Sequence, residues 1–260
     1  MRIISFSAGG VREAEGRGLF EWLARQDADF ICIQDLRCSE YDLQDDSFFP
    51  TGYNAYFFDD IGGQENGVAV YCKELPKAIM TGLGFSDFDM QGRYIQADYG
   101  TLSVGCLLAP VATDQSSQDN RDSFFSLLAA HLEKIRNKRR EYIICGDWGI
   151  APALADIQNP ELASNGVRTL PHEREWLDTL FDKGYADAFR IARQDSDAFT
   201  FWPSWHADPE EKPGQRSDGY RIDLQVISDD LQNSVEHAAI YTGASFSAHA
   251  PVIVDYDIEL

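Results

Sequence analysis

Apolar runs of strand length recur from one end of this chain to the other. They alternate with stretches whose apolar residues keep helical spacing. A strand cannot satisfy its backbone groups alone and must pair with neighbours, so this alternation calls for sheets with helices laid against them. The first run is Ile3-Ile4-Ser5-Phe6, and residues 12–25 follow with Leu19, Trp22 and Leu23 on one helical face. Asp29-Phe30-Ile31-Cys32-Ile33 reads as the next strand, and Gly67-Val68-Ala69-Val70-Tyr71 as another after the Asn66-Gly67 turn. Residues 94–98 and 101–108 read as a hairpin turning at Tyr99-Gly100. Across residues 121–137, Phe124, Leu128, Leu132 and Ile135 fall at i, i+4, i+8 and i+11, which predicts an amphipathic helix. Tyr142-Ile143-Ile144-Cys145 reads as a buried strand. Pro171 then opens a helix with Glu173 in its first turn, and Gly184 stops it. The end is β-rich, at residues 222–227, 235–241 and 251–256. Nothing resembles a linker, a repeat or a low-complexity stretch, so the pattern predicts one domain, residues 1–260, with two sheets face to face and helices outside. Loops at 111–121 and 203–219 are polar or rich in Pro and Gly and are expected to be exposed.

Hydrophobic residues make up 44% of the 260 and aromatics 12%, enough to fill a large core. No apolar run approaches the roughly 20 residues that cross a bilayer. One arginine and a brief apolar stretch at the N-terminus are too little for a signal peptide, so a cytoplasmic location is expected. Five cysteines, with no C-x-x-C pair, read as free buried thiols rather than disulfides or a zinc site. Charge excludes most. Lys plus Arg is 22 against 43 Asp plus Glu, a net −21. Such a surface repels a phosphate backbone, and unaided non-specific binding of long DNA or RNA is not expected.

Where the runs end, polar residues gather: Ser5-Phe6-Ser7-Ala8-Gly9-Gly10, Ile33-Gln34-Asp35-Leu36, Gly146-Asp147-Trp148-Gly149, Arg221-Ile222-Asp223 and Ser247-Ala248-His249-Ala250-Pro251. Carboxylates and one histidine at strand ends suit phosphodiester hydrolysis, because a hard divalent cation takes oxygen ligands and a His–Asp pair can orient and activate. Each residue also has a plain structural reading. Asp147 can persist as a loop or helix cap after its strand, Asp223 and His249 as a buried hydrogen-bonded pair, and Asp35 as a solvated loop residue.

These motifs, with Leu170-Pro171-His172-Glu173-Arg174-Glu175-Trp176-Leu177-Asp178 and Gly184-Tyr185-Ala186-Asp187-Ala188-Phe189-Arg190, resemble the exonuclease III and AP endonuclease branch of the endonuclease/exonuclease/phosphatase superfamily. The resemblance runs over nearly the whole chain. It implies a four-layer α/β sandwich, two packed mixed β-sheets flanked by helices, and a metal-dependent phosphodiesterase. The family's catalytic pattern is kept only in part. Its F-N-x-N-G is Phe6-Ser7-Ala8-Gly9-Gly10, its Q-E-T glutamate is Asp35, the asparagine of G-D-x-N is Gly149, its tyrosine falls near Cys106 or Leu107, and the aspartate of S-D-H-x-P is Ala248. Asp147, Asp223 and His249 remain and would carry any residual catalysis. Asp35 is the candidate ligand for Mg²⁺ or Mn²⁺, and no cofactor is expected to be required.

Within the superfamily, residues 1–5, 27–35, 138–146 and 246–257 are most similar to the catabolite repression control proteins of gamma-proteobacteria. That resemblance implies a protein without evident nuclease activity that joins the RNA chaperone Hfq on A-rich messenger segments to repress translation. The partner surface is then expected at Lys134, Arg136, Lys138, Arg139 and Arg140, whose structural reading is complementation of a helix C-terminus. Trp202, Trp205 and Tyr220 could stack on bases or pack over the sandwich mouth. Self-association is a further expectation. The alternative is an Mg²⁺-dependent exonuclease III-like or AP endonuclease phosphodiesterase with a modified site; a small-molecule phosphatase is a third reading.

Overall fold

The structure, a computed structural model, describes residues 1–163, 170–193, 198–206, 208 and 211–260. Its described strands form two six-stranded mixed sheets. The first contains β1 (Arg2–Ser7), β2 (Phe30–Gln34), β3 (Asn54–Phe58), β4 (Val68–Cys72), β11 (Val235–Ile240) and β12 (Val252–Tyr256), in the order β11-β12-β1-β2-β4-β3. The second contains β5 (Ala78–Thr81), β6 (Tyr94–Asp98), β7 (Leu102–Leu108), β8 (Glu141–Asp147), β9 (Tyr185–Asp187) and β10 (Asp223–Ser228), in the order β5-β6-β7-β8-β10-β9.

Alternation along the central strands builds the layers. In β1, Ile3 enters the core between the sheets, where it meets Phe30, Val70, Val104, Ile143 and Val254. Its neighbour Ile4 faces the other way, into a cluster with Leu19, Trp22 and Leu23. In β8, Ile143 faces the inter-sheet core and Ile144 faces α3 (Gln115–Arg136) and α4 (Pro171–Asp182) through Leu128, Leu132, Leu177 and Leu180. Strands buried on both faces read as continuous apolar runs, and adjacent residues serve different layers. The four-layer α/β sandwich expected from the resemblance is the observed architecture.

Several boundaries differ from the sequence reading. Residues 12–25 hold two helices, α1 (Val11–Gly16) and α2 (Leu19–Leu23), because Gly18 turns left-handed with φ +86. The helix expected from residue 121 begins at Gln115, so most of the supposed loop 111–121 is helical. Asp114 Oδ1 accepts from Ser117 N at 2.8 Å, and Asp114 N donates to Ser117 Oγ at 3.0 Å, a reciprocal cap that fixes the start. The strands β3, β5 and β9 carry no alternation strong enough to be read in advance. β5 is a largely exposed edge, and β9 is three residues long. All five cysteines are buried and free, as expected. Among the described residues no helix is long and apolar enough to cross a membrane.

Candidate active site

The sheets bring β8 and β10 side by side in antiparallel register, with Asp147 opposite Asp223. Cross-strand partners sit close enough for their side chains to interact. His249 lies just before β12, with Nδ1 2.9 Å from Asp223 Oδ2 and 3.1 Å from Oδ1. Its Nε2 is 3.8 Å from Asp147 Oδ2. A carboxylate on Nδ1 fixes the ring and leaves Nε2 on the Asp147 side, the arrangement of an oriented acid–base histidine. Phe201 packs on the imidazole with ring centroids 4.6 Å apart. Asp223 and His249 are therefore the buried pair that the sequence allowed, and Asp147 ends a strand rather than capping a helix.

Two serines missed as functional residues hold this corner together. Ser7 Oγ donates to Asp147 Oδ2 at 3.3 Å. Ser247 Oγ donates to Ser7 O at 2.7 Å and accepts from His249 N at 3.0 Å. Both stand in the strand-end motifs, which was the only signal available. Behind the site, fully buried Arg221 is paired with Asp156 at 2.6 Å and approaches Asp187 at 2.7 Å, and Arg190 also reaches Asp156. Burial pushes the Asp156 carboxyl up, but Arg221 and Arg190 together hold it below its ordinary value. This network anchors the chain immediately before Ile222 and Asp223.

Asp35 follows β2 in a left-handed conformation, φ +57. Its two oxygens accept from Arg37 Nε at 3.0 Å and Nη2 at 2.7 Å, a bidentate pair. Asp35, Arg37, Arg93, Asp147 and His249 line one cleft of about 310 Å³. Burial pushes the Arg93 guanidinium down to about 10, against the pull of Asp35. The structure thus places Asp35 in the same cleft as Asp147 without adding it to the compact group of ligand atoms. That group is Asp147, Asp223 and His249, one atom from each lying within 4.8 Å of the others.

The remaining positions are apolar or filled. Leu107 and Leu108 pair in register with Gly146 and Asp147. Gly149 adopts φ +64, and a Cβ there would lie 3.0 Å from Arg121 Nη1. Arg121 is buried, donating to Glu173 Oε1 at 2.6 Å, Gly149 O at 2.9 Å, Trp148 O at 3.2 Å and Pro110 O. Magnesium demands near-octahedral oxygen ligation at about 2.0–2.1 Å. Here two of the three gathered donors already bind each other, and the fourth candidate is held by an arginine. Among the described residues, Asp147, Asp223 and His249 are the ones near the cleft whose ligand atoms gather closely enough to hold an ion, with Asp35 beside them on Arg37. A second group, Asp122, His172 and Glu173, also brings ligand atoms within 4.8 Å, but its Glu173 is committed to Arg121.

The basic cluster is not one patch. Lys134, Lys138 and Arg140 border a groove with His131, whereas Arg136 borders another with Trp176 and Lys183. Lys134, Arg136, Lys138 and Arg139 are exposed. Arg140 is half-buried, pairing with Asp98 at 3.1 Å and Ser103 Oγ at 2.9 Å. Trp202 and Trp205 are buried, and Trp205 Nε1 donates to Ser245 Oγ at 2.8 Å, so they pack rather than present stacking faces. Tyr220 is half-buried.

Comparison with known proteins agrees with this fold. The profile of the "Endonuclease/Exonuclease/phosphatase family" matches residues 8–235. The exodeoxyribonuclease of Bacillus subtilis is 27% identical over 97% of this chain and 98% of its own length. The DNA repair nuclease APEX1 of Danio rerio is 28% identical over 97% of this chain and 81% of its own. An AP endonuclease from Archaeoglobus fulgidus superposes with a TM-score of 0.87 at 21% identity, over 99% of this chain and 100% of that one.

Proposed function

The chain belongs to the endonuclease/exonuclease/phosphatase family, and from that premise we propose that it acts by binding within an RNA-bound regulatory complex, with little or no nuclease activity. One observation carries the reading. Asp35, at the position of the family's metal-binding glutamate, is paired with Arg37 at 3.0 and 2.7 Å. Elsewhere in the family pattern the tyrosine, asparagine and aspartate positions are Cys106 or Leu107, Gly149 and Ala248. Loss of one transition-state donor costs on the order of 10²–10³ in rate, and several losses together leave little.

The partner follows from the resemblance to the catabolite repression control proteins. It is Hfq on A-rich messenger RNA, with the outcome translational repression of catabolic genes. The charge supports a division of labour. At net −21 the protein does not grip RNA alone, while Hfq supplies the main contact and exposed Lys134, Lys138 and Arg139 add a local one. Gel shifts with an A-rich RNA test this: no shift with the protein alone, a supershift once Hfq is present. Nanomolar RNA binding without Hfq would contradict the proposal.

A second reading has its own support. Asp147, Asp223 and His249 keep the geometry of an acid–base site, and the curated relatives are named as nucleases. On this reading the protein is an Mg²⁺- or Mn²⁺-dependent phosphodiesterase of exonuclease III or AP endonuclease type. Cleavage of an abasic-site duplex that is abolished by both EDTA and Asp147→Ala would establish it in place of the first.

A further inference from the structure

The outer face of β6, the edge strand β5 and the C-terminal half of α3 enclose a groove of about 580 Å³. Its lining runs from Met80 to Gly84 on one side and from His131 to Tyr142 on the other, with Tyr94 and Gln96 on the floor. It shares no lining residue with the cleft. β5 is largely exposed, so the groove is open on that side.

Charge singles this groove out. The chain is −21 overall, yet the charged side chains lining it are Lys134, Lys138, Arg140 and one carboxylate, Asp98. Asp98 is already taken. Its Oδ1 accepts from Ser103 Oγ at 2.6 Å and Gln96 Nε2 at 2.7 Å and pairs with Arg140 at 3.1 Å. Lys134 and Lys138 are left uncompensated: both are exposed, and neither has an ion-pair partner among the described residues. His131 stands one turn before Lys134 and is half-buried, its ring against the edge of Phe85 with centroids 6.1 Å apart. The ring nitrogens have no hydrogen-bond partner among the described residues, and neither is a sealed polar atom. Burial, then the charges of Lys138 and Lys134, hold the imidazole below its ordinary value, so it is neutral at pH 7. The other titratable groups around the groove are Tyr94, Tyr142 and the Asp98–Arg140 pair, while Asp89, behind the wall, accepts from Leu83 N at 2.8 Å.

We propose that this groove binds a phosphate group through Lys134, Lys138 and His131. An anion held by the two lysines offsets their field at His131 and lets the imidazole take a proton, which adds a third donor. A phosphate has three acceptor oxygens for three such donors, and a carboxylate has two. The volume lies in the range of small-molecule sites, about 300–1,000 Å³, so the group can enter attached to a larger body. That body is a phosphomonoester or an RNA backbone. On the regulatory reading the groove is one of the RNA contacts, with His131 joined to the two lysines; the phosphate contact itself does not rest on that reading. One phosphate on solvated lysines binds weakly, which is consistent with no RNA shift by the protein alone.

The test uses the full-length protein without Hfq, so its outcome is separate from that of the supershift. The His131 ring resonance, assigned by its loss in His131→Asn, is followed by NMR as sodium phosphate is added at constant ionic strength. A saturable shift is expected, with the His131 titration midpoint raised by about one unit. Sodium acetate should bind several-fold more weakly. Lys134→Gln/Lys138→Gln, two exposed changes, should weaken phosphate several-fold and raise the His131 midpoint in phosphate-free buffer, because the repulsion is gone. Saturable binding of 5′-AMP or of hexa-adenylate supports the site, and the tighter of the two tells a terminal phosphate from a backbone one. An unmoved His131 resonance, an equal response to acetate, or a Lys134→Gln/Lys138→Gln protein that binds phosphate as the parent does would each overturn the proposal.

Discussion

Gly149 and Asp35 show how single positions set what surrounds the cleft. A side chain at 149 would have to take a left-handed backbone and lie 3.0 Å from the Arg121 guanidinium. Gly149→Asn is therefore expected to lower the melting temperature and to leave abasic-site cleavage at the parent's level. Asp35→Glu restores the methylene but not the availability of the carboxylate, because Arg37 remains. Calorimetry with Mn²⁺ should find no new site in Asp35→Glu alone and a measurable one in Asp35→Glu/Arg37→Ala; equal Mn²⁺ binding by the two would refute the blocking role of Arg37. Asp156 belongs to stability. Its carboxyl is held below its ordinary value in the fold, so the stabilisation it gives is complete above an unfolded value of about 3.9 and is lost as pH falls through the folded one. Asp156→Ala leaves Arg221 buried without its closest partner, and urea unfolding at pH 7 should show a loss of about 3–5 kcal/mol.

At the level of elements, α3 and the β8–β10 pair carry the site. The helix packs Leu128 and Leu132 under the outer face of β7 and β8, while its Arg121 ties the loop after Asp147 to α4. Leu128, 1% exposed, is expected to cost about 2–5 kcal/mol on truncation to Ala, read from a denaturant titration. The apolar spacing from Phe124 to Ile135 announced this helix, but its true beginning was set by the Asp114–Ser117 cap. The same helix explains why the basic cluster divides. Lys134 and Arg136 lie two apart on the helix and so on different faces, while Lys138, just past the helix end, joins Lys134 over one groove. In the Hfq–RNA assay, Lys134→Ala/Lys138→Ala should weaken the supershift more than Arg136→Ala. An equal loss from both would place the RNA contact elsewhere.

For the whole molecule, the net charge of −21 on 260 residues implies self-repulsion that counter-ions relieve. The melting temperature should rise as NaCl goes from low to physiological strength. A flat or falling trend would mean that local ion pairs outweigh the global field. The layers were legible in advance, because strands buried on both faces leave continuous runs such as Phe30-Ile31-Cys32-Ile33 that hold their meaning in any context. The edge strands Ala78–Thr81 and Tyr185–Asp187 were not, since a partner's backbone and not their own side chains makes them strands. By itself the sequence determined the sandwich, the buried thiols, and which acids and histidine stand at strand ends. Only the tertiary structure decided which of those groups meet. Asp223 and His249 are joined, Asp35 is given to Arg37, and Gly149 is backed by Arg121. Register between strands and the path of loops fix distances of a few ångströms, and residues 26 or 28 positions apart carry no local mark of them.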